Sequence, residues 1–204
     1  FAEIFANLRD WSRHRFVESP EHKEYSRTRR IVMQDLFGGE LKFERELEYV
    51  QTDDGRRVPF TALSSGQQEL LPMWTLIDYF SSAPMRKSAG KEIFYIEEPE
   101  AHLFPSAQSV LMDFFVGALI SKPQRRDLVI TTHSPYILAK LNNYLKAGTL
   151  GRTKRLSERV AEIVPKECWL TTERVKAYAI DDGSLRDLVD DNGLISASYI
   201  AVSY

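Results

Sequence analysis

The sequence predicts an α/β chain whose sheet is mostly parallel and flanked by helices, with a helical and short antiparallel part on its N-terminal side. Three observations predict it. Two short apolar runs, Ile93–Ile96 and Asp127-Leu-Val-Ile-Thr-Thr132, end abruptly in Glu97-Glu98-Pro99 and in His133-Ser134-Pro135, as buried strands do. Helical patterns lie before, between and after these runs, so the middle reads helix–strand–helix–strand–helix, the order of a parallel sheet. Upstream, Leu41, Phe43, Leu47 and Tyr49 alternate with Lys42, Glu44, Glu46 and Glu48, which is the period of a half-exposed strand.

The elements follow in order. Phe1, Ile4, Phe5, Leu8 and Trp11 recur at helical spacing and open the chain with an amphipathic helix. Ser19-Pro20 starts a second helix, through Tyr25, Val32 and Leu36, which stops at Gly38-Gly39. The alternating stretch 41–49 is one strand; Asp53-Asp54-Gly55 is a turn, after which Val58 to Phe60 returns as its partner. Leu63 to Gln68 leads into a helix carrying Leu70, Leu71, Trp74, Ile77 and Phe80, with Pro72 inside as a candidate kink. A polar loop, 81–91, precedes the first apolar strand. Pro105 starts the helix through Val110, Leu111, Phe114, Phe115 and Leu119, and Tyr136 to Leu145 forms the helix after the second strand. Past Gly148 the pattern weakens. Cys168-Trp169-Leu170 and Val175 to Ile180 read as strands, the latter ending in the turn Asp181-Asp182-Gly183. Three regions result: 1–62, helical with a β-hairpin; 63–147, the central core; and 148–204, a C-terminal extension.

Composition sets bounds. At 204 residues, with 43% hydrophobic and 27% charged residues, the chain has apolar material for a core. A formal net charge of -2 gives no global attraction to nucleic acid, so any such contact needs a local patch. The single Cys168 rules out an intrachain disulfide and suits a reducing cytoplasm. No apolar run reaches the roughly 20 residues of a membrane span, so no membrane partner is expected. The sequence opens at Phe1, within a helical pattern, and reads as a piece of something longer.

Three segments carry chemistry. Glu97-Glu98 sits at a strand tip, where two carboxylates are costly unless they bind a cation or move protons. Glu97 is the candidate magnesium ligand and Glu98 the candidate base for an attacking water; a solvated acidic loop is the alternative. Leu63-Ser64-Ser65-Gly66-Gln67-Gln68 opens a helix, where small residues and free N–H groups suit an anion; an ordinary serine N-cap is the alternative. Thr131-Thr132-His133-Ser134 lies at a strand's carboxyl end, where open α/β sheets bind ligands. His133 can donate there to a phosphate oxygen or merely cap the helix that follows.

Together, in this order and spacing, the segments resemble ABC-type ATPases of the P-loop NTPase fold. Leu63–Gln68 looks like their signature motif, Ile93–Glu98 like their Walker B strand with its catalytic glutamate, Pro99–Leu103 like their D-loop and His133 like their switch histidine. The wording Glu97-Glu98-Pro99-Glu100-Ala101-His102-Leu103-Phe104-Pro105 is similar to the overcoming-lysogenisation-defect and RecF/SMC-related AAA ATPases of DNA repair and phage defence. The resemblance implies ATP and Mg2+ as cofactors. It implies that Glu97 holds the metal, Glu98 polarises water and His133 senses the γ-phosphate, while Ser64, Ser65, Gly66 and Gln67 meet ATP held by a partner head. It covers about Leu63 to Leu145 and identifies the chain as a C-terminal lobe.

A phosphate-binding loop, Gly-x-x-x-x-Gly-Lys-[Ser/Thr], is absent from the sequence; Gly38-Gly39, Gly148 and Gly151 do not fit it. The expectation is a lobe that hydrolyses ATP only when completed by a Walker A-bearing lobe and paired with a second head, a homodimer by resemblance. The isolated chain is then expected to be inactive. Two other functions stay open: the nucleotide-binding subunit of a transporter, against which the Glu-Glu-Pro-Glu-Ala-His wording speaks, and a non-hydrolysing interaction module. Basic clusters (His22, Lys23 and Arg27 to Arg30; Arg152, Lys154, Arg155 and Arg159) could meet nucleic-acid phosphates or simply face solvent. The acids Asp181, Asp182, Asp187, Asp190 and Asp191 lie in turn-like context without a nuclease pattern.

Overall fold

A computed structural model describes residues 30–44, 47–82, 91–120 and 126–197. The expected helix at Phe1–Trp11, the start of the second helix and most of the first basic cluster lie outside them. The chain divides into two compact units, Phe1–Ser88 with Ala101–Leu103, and Ala89–Glu100 with Phe104–Tyr204.

In the first unit, helix α1 over 30–37 buries Val32, Met33, Leu36 and Phe37, the i, i+1, i+4, i+5 stripe of an amphipathic helix. Strands β1 (Glu40–Glu44), β2 (Leu47–Gln51) and β3 (Arg57–Pro59) form an antiparallel sheet in that order. The single strand expected over 41–49 is therefore two strands, paired Leu41 to Val50 and Glu44 to Leu47. Alternation persists across the reversal because each partner of a hairpin keeps its own period of two. The turn at Asp53-Asp54-Gly55 is present, closed by the Gly55 N–H donating to the Thr52 carbonyl at 2.9 Å. A 3-10 turn, Phe60–Ala62, leads into α2 (Ser65–Ser82). Leu70, Leu71, Trp74 and Ile77 form its buried face, and Trp74 meets Phe37 edge-on, ring centroids 6.3 Å apart. The helix runs through Pro72 without ending.

The second unit carries the expected parallel pair. Strands β4 (Glu92–Glu97) and β5 (Arg126–Thr131) run side by side in register, Glu92 with Arg126 through Glu97 with Thr131. Between them lies α3 (Pro105–Phe115), with Pro105 in its first turn, continued by a π-turn, Val116–Ile120. After β5 comes α4 (Pro135–Leu150). Leu111, Met112, Phe115 and Leu119 pack with Ile137, Tyr144 and Leu145 into the core of this unit.

The two strands are not buried on both faces, as their apolar composition led one to expect. On one face Arg126 bonds Glu92 at 2.7 Å and lies over the Phe94 ring. On the other, Ile93 and Tyr95 are 66% and 65% exposed and Val129 is exposed beside them. Among the described residues the sheet has only these two strands, and one apolar face stays open.

The C-terminal part corrects a second expectation. Cys168-Trp169-Leu170 is not a strand: Lys166–Cys168 is a 3-10 turn, and the Leu170 N–H donates to the Tyr144 carbonyl at 3.2 Å. Its apolar character serves burial against α4 rather than sheet pairing. Helix α5 (Lys154–Ala161) buries none of its residues. The later strand begins at Tyr178, and β6 (Tyr178–Asp181) and β7 (Ser184–Asp187) form a hairpin. Asp182 and Gly183 turn it at φ 48° and 75°, the left-handed pair a tight hairpin requires. Asn142 on α4 clasps Ile195 twice, donating to its carbonyl at 2.8 Å and accepting from its N–H at 2.7 Å.

Candidate functional site

The carboxyl ends of β4 and β5 bring the acidic tip and the histidine segment together. Glu97 ends β4 on the same face as Ile93 and Tyr95, with its side chain exposed. Glu98 leaves the strand in the left-handed region, φ 41°, which a residue with a β-carbon adopts only at a cost. Its N–H is tied to the end of β5, donating to the Thr131 carbonyl at 2.9 Å and to Thr131 Oγ1 at 3.3 Å. This turn aims the side chain across the strand ends. Glu98 Oε1 stands 3.3 Å from His133 Nε2. The histidine side chain is 88% exposed and the glutamate 51%, so solvent screens their attraction and the pair adds little to stability.

His133 does not cap the helix that follows. Ser134 does: its Oγ accepts from the N–H groups of Tyr136 and Ile137 at 3.2 and 3.4 Å and donates to Gln108 Oε1 at 2.5 Å. His133 is thereby left available for chemistry. Behind it, Glu100 Oε1 accepts from Thr132 Oγ1 at 2.6 Å and from the His133 N–H at 2.8 Å.

A model of the AAA ATPase domain family matches residues 16–138, more than half of the chain. The chain belongs to this family. A search of curated proteins gave no match. As an AAA ATPase domain it has the P-loop NTPase fold, and the family's work is ATP hydrolysis, with nucleotide bound and Mg2+ its usual companion. Among the described residues no helix is long and apolar enough to cross a membrane.

The residues present fit a nucleotide-borne magnesium ion. Its donors should be hard oxygens, few from protein and the rest from water and phosphate. The strand tips offer the Glu97 carboxylate beside Thr131, and no group of three metal-binding side chains occurs among the described residues. A lone carboxylate of this kind is compatible with a metal whose other ligands are water and phosphate oxygens.

The serine segment of this AAA ATPase domain lies in the first unit. Ser64 and Gln67 form a reciprocal capping box at the start of α2: the Gln67 N–H donates to Ser64 Oγ at 3.3 Å, and the Ser64 N–H donates to Gln67 Oε1 at 3.2 Å. Ser65 is exposed at the first turn. Gly66 is buried because the backbone of His102 crosses it; a β-carbon there would lie 2.5 Å from the His102 carbonyl oxygen. His102 is itself left-handed, φ 58°. The absence of a side chain at Gly66 thus serves chain packing, and this packing joins the D-loop-like residues to the signature-like ones.

Reading the sequence did not single out Glu100, which bonds the His133 segment. The one signal was its place two residues beyond Glu98, across Pro99. The late acids are used locally: Asp187 Oδ1 accepts from the Val189 N–H, Asp190 Oδ1 from those of Asn192 and Leu194, and Asp181 pairs with Arg186 at 3.2 Å.

Proposed function

We propose that this AAA ATPase domain is the ABC-type C-terminal lobe of an ATP hydrolase. In this reading Glu97 holds nucleotide-bound Mg2+, Glu98 orients and deprotonates the attacking water, and His133 contacts the γ-phosphate. The 3.3 Å approach of Glu98 to His133 at the ends of a parallel strand pair carries the proposal. This proximity supports the reading, because a carboxylate able to act as base lies beside an imidazole at the carboxyl ends of parallel strands, where α/β sheets bind ligands. Ser64, Ser65, Gly66 and Gln67 meet the ATP of a second head, so binding closes a dimer and hydrolysis opens it.

The phosphate loop comes from a lobe outside this sequence. The open face carrying Ile93, Tyr95, Val129 and Glu97 supports this, because exposed apolar area beside a functional carboxylate is what a covering layer would bury. The resemblance of the Glu97–Pro105 wording supports a role in DNA repair, genome maintenance or phage defence.

Two measurements test the reading. In the intact ATPase, with its phosphate loop, Glu98→Gln should retain ATP, accumulate closed dimer and lose on the order of 100-fold or more in turnover. Unchanged turnover overturns the assignment of Glu98 and favours a non-hydrolysing module. The isolated chain should not hydrolyse ATP; Glu98-dependent turnover by it alone overturns the need for a completing lobe.

A further inference from the structure

We infer that Glu100 is a positioning residue for hydrolysis: its carboxylate holds the backbone of His133 in reach of Glu98. The inference rests on the ATPase reading and adds a role for a residue that reading leaves idle.

The geometry points to it in three ways. First, Oε1 of Glu100 accepts two hydrogen bonds from the opposite loop, Thr132 Oγ1 at 2.6 Å and the His133 N–H at 2.8 Å. Bonds to an ionised acceptor are about twice as strong as neutral ones. Second, the Thr132 hydroxyl is a relay, since it also accepts from the Ser134 N–H at 2.9 Å. One carboxylate oxygen therefore orders the Thr132-His133-Ser134 loop, whose far end is pinned by the Ser134–Gln108 bond. Third, the other oxygen, Oε2, has no hydrogen-bond partner among the described residues, so the carboxylate's hold on this loop runs through Oε1 alone.

Glu98 and Glu100 flank the buried Pro99, whose ring fixes φ between them. The pair forms a two-pronged clamp on the end of β5. The Glu98 N–H holds Thr131 and the Glu100 carboxylate holds Thr132 and His133. The side chains of Glu98 and His133 are both exposed, so their own contact does not fix the distance between them. The backbone clamp does.

The test compares Glu100→Ala, Glu100→Asp and Glu100→Gln in the intact ATPase, with Glu98→Gln as reference. Alanine removes the acceptor and aspartate withdraws it by one methylene, so each should lower kcat on the order of 100-fold with KM for ATP held within about twofold. Glutamine keeps an acceptor oxygen and should recover most of the rate. In the isolated chain, amide exchange followed by NMR should show the His133 N–H exchanging about tenfold faster in Glu100→Ala, with the Glu98 N–H unchanged. Wild-type kcat in Glu100→Ala beside a dead Glu98→Gln overturns the Glu100 role alone. Activity in both overturns the ATPase reading beneath it. Equal loss in the alanine and glutamine variants with a lowered Tm, or unchanged His133 exchange, also overturns the positioning role.

Discussion

The second unit contains two polar clusters that differ in every physical respect. At the strand tips, Glu97, Glu98 and His133 are exposed, and Glu98 sits in a disfavoured backbone region. Between α3 and α4, Asp113 is enclosed by partners: Tyr144 donates to its Oδ1 at 2.7 Å, Lys140 donates to its Oδ2 at 2.9 Å, and the Cys168 thiol donates to its carbonyl at 3.5 Å. Tyr144 and Cys168 are fully buried. Burial holds the tyrosine hydroxyl far above its usual range and pushes the thiol up to about 12, with Asp113 adding to both. A cluster whose groups satisfy one another stabilises the fold and has nothing left with which to act. A cluster held in place by its backbone, with side chains open to solvent, can still meet a ligand.

The contrast can be broken by exchanging the consequences. The largest effect on stability should come from Asp113→Ala, which strands Lys140 and the Tyr144 hydroxyl. A loss of about 3 kcal/mol is expected in urea denaturation, whereas Glu98→Gln should move the midpoint hardly at all. Equal effects would erase the distinction.

The next effect is a pH dependence. The thiol of Cys168 ionises near 9.0 in an unfolded chain and near 12 when folded, so unfolding releases its proton between those values. Stability present below pH 9 is therefore lost as pH rises toward 12, by about 2 kcal/mol between about pH 9 and pH 11. Tyr144, also raised, adds in the same direction. Cys168→Ala should flatten the slope in denaturation series at several pH values, and the native thiol should resist alkylation at neutral pH.

The smallest effect has the opposite sign. Glu98→Gly removes the β-carbon from a left-handed residue and should raise the stability of the isolated chain by roughly 0.5–1 kcal/mol in thermal unfolding, while removing the group assigned to catalysis. A stability loss would show that Glu98 is held for structure.

These contrasts also explain what was legible in the sequence. The succession α2, β4, α3, β5, α4 could be read because period and breakers are local signals. Pro105 and Pro135 mark helix starts, and Asp182-Gly183 marks a hairpin. The β1–β2 reversal could not, because Arg45-Glu46 carries no turn residue and the alternation continues past it. Cys168-Trp169-Leu170 misled because apolar character records burial and not backbone form. At the strand ends, the nearness of Glu98 to His133 could be anticipated, because each follows an apolar run of a parallel pair. The bonds of Glu100 could not, because its partners lie 32 and 33 residues away and a short-range pattern carries no trace of them.

The uncovered face of β4 and β5 has a consequence for biosynthesis. A nascent chain that has folded this sheet presents Ile93, Tyr95 and Val129 to the cell. Such a surface is what chaperones capture and what seeds clumping when they fail. Yield and solubility on expression should then respond to this face, and a charge placed at Tyr95 should ease production of the chain.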